Sequence, residues 1–122
     1  FKQRRDILRE HILLMKELWT KDEASFDGKY VQFEKSWAWP KPVQRPHPPI
    51  VLGGAIGPGT ARHVAEFCDG WMPITGRYSI DEGLAMIASA CRDIGRDPAS
   101  VSLGMFHLGA ITAEEVKQDR DR

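Results

Sequence analysis

The clearest chemical signal is the run Gly53-Gly54-Ala55-Ile56-Gly57-Pro58-Gly59-Thr60, directly ahead of a helical stretch. Glycines let the main chain approach a ligand closely. A helix start offers unpaired N–H groups and a partial positive charge. Together they suit an anion such as a phosphate, with Thr60 and Arg62 adding a hydroxyl and a charge. The run is not a nucleotide P-loop, because no Lys-Ser or Lys-Thr follows the last glycine. It also departs from the dinucleotide fingerprint, since Arg62 stands where a third glycine would be. The same glycines also suit a tight turn with no ligand, and both readings stand.

Other chemistry is sparse. Arg77, in Ile74-Thr75-Gly76-Arg77, suits an anionic substrate or cofactor tail. Asp69 and Trp71 read either as functional groups or as a strand bracket and a packed ring. His11, His47, His63 and His107 have no metal-ligand spacing, and no metal site is expected. His11 falls on the apolar side of its helix and reads as a packed histidine; His107 falls in a strand. No Ser/His/Asp or Cys/His arrangement follows from spacing. Without an acid–base pair, these residues name no reaction.

The elements that must position the glycine run read as strand, turn, helix, strand. Pro49-Ile50-Val51-Leu52-Gly53-Gly54 is a short buried strand, Thr60 to Phe67 a helix, and Asp69-Gly70-Trp71-Met72-Pro73 a second strand. This is the grammar of a parallel α/β sheet, whose ligands sit at the carboxyl ends of the strands. Ahead of it, Leu8, Ile12, Met15 and Trp19 repeat at helical spacing within residues 1–20. Residues 21–49 are irregular, with a turn at Asp27-Gly28 and a short strand beyond it near Tyr30-Val31-Gln32-Phe33. Pro40, Pro42, Pro46, Pro48 and Pro49 make residues 40–49 an extended surface connection, with Trp37 and Trp39 packed beneath. Residues 50–122 are strand/helix units. Ser79-Ile80-Asp81-Glu82 is a capping box that opens a helix with the stripe Leu84, Ile87, Cys91 and Ile94, closed by Gly95. Val101, Leu103 and Met105 alternate as a strand reaching toward Ile111, and Thr112-Ala113-Glu114-Glu115 is a second capping box. The whole chain, 1–122, reads as one partial domain.

The totals exclude several classes. A formal net charge of +0 gives no electrostatic case for nucleic acid or an acidic membrane surface. No apolar run approaches the length of a membrane span. Cys68 and Cys91 sit among apolar neighbours and read as reduced core thiols of a cytoplasmic protein.

The order and spacing of several segments give a resemblance. They are Leu18-Trp19; Phe26-Asp27-Gly28-Lys29-Tyr30-Val31-Gln32-Phe33; Pro40-Lys41-Pro42-Val43-Gln44-Arg45-Pro46; Pro48-Pro49-Ile50-Val51-Leu52-Gly53-Gly54; Cys68-Asp69-Gly70-Trp71-Met72-Pro73; and Gly95-Arg96-Asp97-Pro98. In these the chain resembles the C-terminal part of the luciferase-like monooxygenase superfamily, especially its coenzyme F-420-dependent oxidoreductase branch.

The resemblance implies a partial (β/α)8 barrel, with strands five to seven at Ile50–Gly53, Gly70–Pro73 and Val101–Met105. It implies coenzyme F-420 or FMN as cofactor and a small organic molecule as substrate. It places Leu52, Gly53, Gly54 and Ala55 along the cofactor's phosphate-bearing side chain, where the reading of the glycine run adds Thr60. It brings Thr75 and Arg77 into view as substrate contacts. The family's ring-binding and acid–base residues fall largely on the first four strands, outside this sequence. A second reading is a non-catalytic α/β module that forms a homo-oligomer through its open sheet edges.

Overall fold

A computed structural model of the chain describes residues 2–74 and 77–104. Helix α1 spans Arg4–Thr20. An antiparallel hairpin follows, β1 (Ala24–Asp27) with β2 (Gln32–Ser36). Three parallel strands form the second sheet in the order β3 (Val51–Gly54), β4 (Gly70–Pro73) and β5 (Ser102–Leu103). Parallel neighbours need a crossover. Helix α2 (Pro58–Phe67) provides the first, and α3 (Ile80–Asp93) with the 3-10 turn Pro98–Ser100 provides the second. This is the partial (β/α)8 barrel expected. The expected strand residue Met105, His107 and the second capping box lie outside the described residues.

Local chemistry explains the boundaries. Pro58 sits in the first turn of α2, where its missing N–H has no helical partner to lose. Ser79 Oγ accepts the Glu82 N–H, and Glu82 Oε2 accepts the Ser79 N–H in return. At the other end of α3, Gly95 takes φ +74°. Its N–H reaches the Arg92 carbonyl and the Arg96 N–H reaches Cys91, closing a Schellman turn.

The core lies between the parallel sheet and α2/α3. Val64, Phe67, Cys68, Trp71 and Cys91 are its fully buried side chains, with Ile56, Ile87 and Ala90 beside them. Both cysteines are free thiols, as expected, and burial pushes the Cys68 thiol up to about 11. Among the described residues, no helix is long and apolar enough to cross a membrane.

Four sequence expectations shift. Residues 21–49 include the hairpin, whose first strand, Ala-Ser-Phe-Asp, carries no β-branched residue to advertise it. Trp37 and Trp39 are not packed beneath the proline segment but 67% and 61% exposed. That segment is instead tied down by Lys41, whose ammonium donates to the carbonyls of Leu18 and Lys21 at 2.7 and 2.5 Å. The buried face of α3 is Gly83, Ile87, Ala90 and Cys91, which leaves Leu84 and Ile94 exposed. The shift comes from Gly83: a Cβ there would stand 2.6 Å from Cη2 of Trp71, so the glycine admits the indole against the helix backbone. His11 is exposed, its Nδ1 2.8 Å from the Ile7 carbonyl.

The hairpin is held to α1 by one carboxylate. Glu10 is 9% exposed and accepts N–H groups from Lys29, Tyr30 and Val31 at 2.7, 2.7 and 3.1 Å. Gly28 makes this possible, because a Cβ there would collide with Glu10 and stand 2.6 Å from Phe26 Cε1. Burial raises the carboxyl's pKa, but the three N–H bonds and the charge of Arg9 outweigh it and hold the pKa below the ordinary carboxylate value. A depressed folded-state pKa stabilises above the unfolded pKa and ceases to as pH falls through the folded one. Glu10→Gln is therefore expected to lower the melting midpoint at pH 7 and to narrow its gap from wild type below pH 4.5, the ordinary carboxylate value. Thermal melts from pH 7 to 3 measure this; a gap independent of pH contradicts it.

Candidate functional site

Parallel pairing sets the carboxyl ends of β3 and β4 side by side, Gly54 opposite Pro73. The glycine run leaves β3 at this edge. Leu52 points its side chain into the core cluster, so only its main chain is available to a ligand. Gly53 and Ala55 are exposed, and Thr60 is half-buried in the first turn of α2. Among the described residues, a Cβ placed on Gly53, Gly54 or Gly57 meets no atom within 4 Å. These glycines therefore do not make room for protein packing. They leave main chain open to the outside.

The turn is rich in uncommitted donors. The N–H groups of Ala55, Ile56 and Gly57 donate to nothing among the described residues. The first bond into α2 runs from Ala61 N–H to the Gly57 carbonyl at 2.8 Å. The N–H groups of Gly59 and Thr60 therefore have no intrahelical acceptor. Gly54 takes φ +140°, a conformation open to glycine alone, and this bends the chain from strand to helix.

Charge near the turn is positive. Arg5, carried by α1, lays its guanidinium on Gly59, where Nη1 would stand 2.5 Å from a Cβ. Sequence reasoning missed Arg5, since only the docking of α1 brings it here; Arg62 is exposed one turn on. His63, half-buried, faces the Phe67 ring at 5.1 Å. Burial depresses its pKa, the charge of Glu66 opposes that, and Arg5 and Arg9 add to it.

The remaining predicted residues divide. Arg77 lies beyond the end of β4, exposed, with its guanidinium 5.6 Å from the Tyr78 ring. Among the described residues it makes no contact with the turn, and Thr75 lies outside them. Asp69 is structural: its Oδ2 accepts the Ile50 N–H at 2.8 Å at the opposite, amino end of β3. Trp71 is both packed and hydrogen-bonded to the turn, donating from Nε1 to the Gly54 carbonyl at 3.0 Å.

A separate groove of 750 Å³ lies on the hairpin, lined by Ser25, Phe26, Asp27, Gln32, Phe33, Glu34 and Lys35, and shares no residue with the turn. Among the described residues no cluster of His, Cys, Asp or Glu is placed to hold a metal ion. The donors at the turn fit an anionic group: five N–H groups without an acceptor among the described residues, an open main chain and a nearby guanidinium.

Comparison with known proteins agrees with this architecture. Residues 1–121 match the family described as luciferase-like monooxygenase. An uncharacterized protein of Mycobacterium tuberculosis is 41% identical over 95 residues, 78% of this chain and 33% of that protein. The F420-dependent glucose-6-phosphate dehydrogenase of Gordonia bronchialis is 42% identical over 77 residues, covering 63% of this chain and 22% of the enzyme. The FMNH(2)-dependent dimethylsulfone monooxygenase of Pseudomonas putida is 31% identical over 110 residues, covering 88% and 30%. Among solved structures, an F420-dependent secondary alcohol dehydrogenase in complex with an F420-acetone adduct superposes with a TM-score of 0.70. It is 22% identical and covers 85% of this chain and 32% of that one. The chain thus spans a third or less of the length of these relatives.

Proposed function

The chain belongs to the luciferase-like monooxygenase family, and we propose that it supplies the cofactor-phosphate cradle of an oxidoreductase that uses coenzyme F-420 or FMN on a small organic substrate. The bound cofactor would supply the redox chemistry. Gly53, Gly54 and Ala55 present main chain to its phosphate-bearing side chain, with Leu52 contributing backbone only. Thr60, with the start of α2, adds N–H groups and a hydroxyl, and Arg5 adds positive charge. Arg77 and Thr75 serve the substrate side. The 42% identity to an F420-dependent dehydrogenase over the stretch it covers favours coenzyme F-420 over FMN. We assign residues 1–122 to a single partial-barrel unit.

The observation that carries this reading is the space that the described residues leave above Gly53, Gly54 and Gly57, beside N–H groups that have no acceptor among those residues. Gly53 provides the test. Its φ lies outside the left-handed region, and a Cβ there meets no atom within 4 Å among the described residues. Gly53→Val is thus expected to leave the unfolding free energy from urea titration within about 0.5 kcal/mol of wild type. It is expected to weaken cofactor binding at least tenfold, by filling the cradle. Dialysis against FMN and coenzyme F-420 in turn reads the affinity. Equal binding by wild type and Gly53→Val places the cofactor elsewhere. No saturable binding by wild type at millimolar cofactor removes the reading.

A second reading rests on the sheet's open edges: β3 and β5 each pair on one side only among the described residues, and Val51 is 47% exposed. Such edges suit a homo-oligomer that pairs them. A sedimentation profile that stays monomeric at high concentration contradicts it.

A further inference from the structure

We infer that Trp71 is a positioning residue for the cradle: it holds the Gly54–Ala55 peptide so that the Ala55 N–H faces the bound anion. The inference rests on the cradle reading above and goes beyond it, because Trp71 need not touch the ligand at all. Trp71 is 2% exposed and packed against α3. Helix α3 approaches through Gly83, where a Cβ would lie 2.6 Å from Cη2 and 3.0 Å from Cζ3 of the indole, and Ile56 crowds the same point. A ring so confined has one place for its N–H. That place is the Gly54 carbonyl, 3.0 Å away.

The consequence follows from peptide geometry. The Gly54–Ala55 bond is trans, since the cis bonds of the described chain are Trp39–Pro40 and Arg45–Pro46. In a trans peptide the C=O and the following N–H point in opposite directions within one plane. Fixing the Gly54 carbonyl toward the indole therefore fixes the Ala55 N–H away from the core. That N–H has no acceptor among the described residues. The Ile74 N–H donates to the same carbonyl at 3.4 Å, a longer contact that cannot set the plane alone. Gly54 is also the residue with φ +140°, where a glycine chain is otherwise free to rotate. The indole removes that freedom, so the donor is oriented before a ligand arrives.

The test compares wild type, Trp71→Phe and Ile87→Ala, each labelled with 15N-alanine. Ile87 lies in the same core, 3% exposed, and is not hydrogen-bonded to the turn, so Ile87→Ala reports what loss of packing alone does. Equilibrium dialysis against FMN and coenzyme F-420 reads the affinity, and the Ala55 amide resonance reads the donor. We expect Trp71→Phe to bind at least tenfold more weakly, with its Ala55 resonance displaced in the free protein. Ile87→Ala is expected to melt lower yet bind within twofold of wild type. In wild type the Ala55 resonance is expected to shift on saturation.

Equal affinity of Trp71→Phe and wild type overturns the inference and leaves the cradle standing. So does an equal loss of affinity in Ile87→Ala. Should Trp71→Phe fail to fold, wild type alone decides: an Ala55 amide unmoved at saturation, while Gly53 and Thr60 shift in a uniformly labelled sample, overturns it. Absence of cofactor binding by wild type overturns the cradle itself, and the inference with it.

Discussion

Gly83→Leu is expected to abolish the cooperative unfolding transition of this chain, and Gly83→Ala to lower its stability by about 1–3 kcal/mol, the usual range for overpacking a filled core. Two effects compete at this position. Replacing a helical glycine with alanine normally stabilises by about 0.5–1 kcal/mol, because less backbone freedom is lost on folding. Here the new Cβ would stand 2.6 Å from the Trp71 indole and 3.0 Å from Ile56, well inside van der Waals contact. The indole is fully buried and cannot swing aside as a flexible surface chain would. Steric conflict therefore exceeds the helical gain. Urea titrations of Gly83→Ala measure the balance, and a raised midpoint would show that α3 can retreat at no cost. Gly53→Ala is the natural contrast, being expected to change little because its side chain enters open space.

Arg96→Ala is expected to cost about 2–3 kcal/mol, within the range for hydrogen bonds to a charged donor. The Arg96 Nη1 donates to the carbonyls of Val64, Ala65 and Cys68 at 3.3, 2.9 and 2.7 Å. These are carbonyls of the last turn of α2 and its cap; Val64 already accepts the Cys68 N–H at 3.2 Å, while the helix leaves those of Ala65 and Cys68 without partners. The cation also sits at the negative end of the helix dipole. The Schellman turn around Gly95 aims the side chain there, and the Ser100 hydroxyl accepts from Nε at 2.9 Å. Arg96→Lys is expected to recover less than half the loss, because one ammonium cannot reproduce a planar donor that bonds on two sides. Equal stability of Arg96→Ala and wild type would mean that water satisfies these carbonyls as well as the guanidinium does.

What was legible in the sequence was what short-range chemistry decides. Strands β3 and β4 and both ends of α3 follow from glycine, proline and capping residues a few positions apart, whereas α2 begins at Pro58, two residues ahead of the Thr60 expected. The glycine run that leaves β3 was readable for the same reason as those strands. What escaped depends on contacts between distant segments. Glu10 reads as one more charge on a polar helix face, and only the hairpin's arrival shows it to be a buried acceptor. Arg5 lies 54 positions from the glycine it covers. Gly95-Arg96-Asp97-Pro98 reads as a turn; that its arginine terminates a different helix follows from the packing of α3 on α2. Trp37 and Trp39 misled in the opposite sense, since aromatic residues usually signal burial. The stripe on α3 was displaced because periodicity counts apolar side chains and overlooks a glycine that seats a ring.

The Glu10 contact also bears on the order in which the chain assembles. It links residues 19 to 21 positions apart. The fork from Arg9 to Glu66 closes a separation of 57. Loop-closure entropy grows with length, so the shorter loop forms first at lower cost. By loop length, helix α1 and the hairpin therefore close ahead of the Arg9–Glu66 fork and level with β3 and β4, whose Ile50–Asp69 bond also spans 19 positions. The neighbouring arginine then provides a late latch that joins α1 to α2, one residue away from the carboxylate that ties α1 to the hairpin.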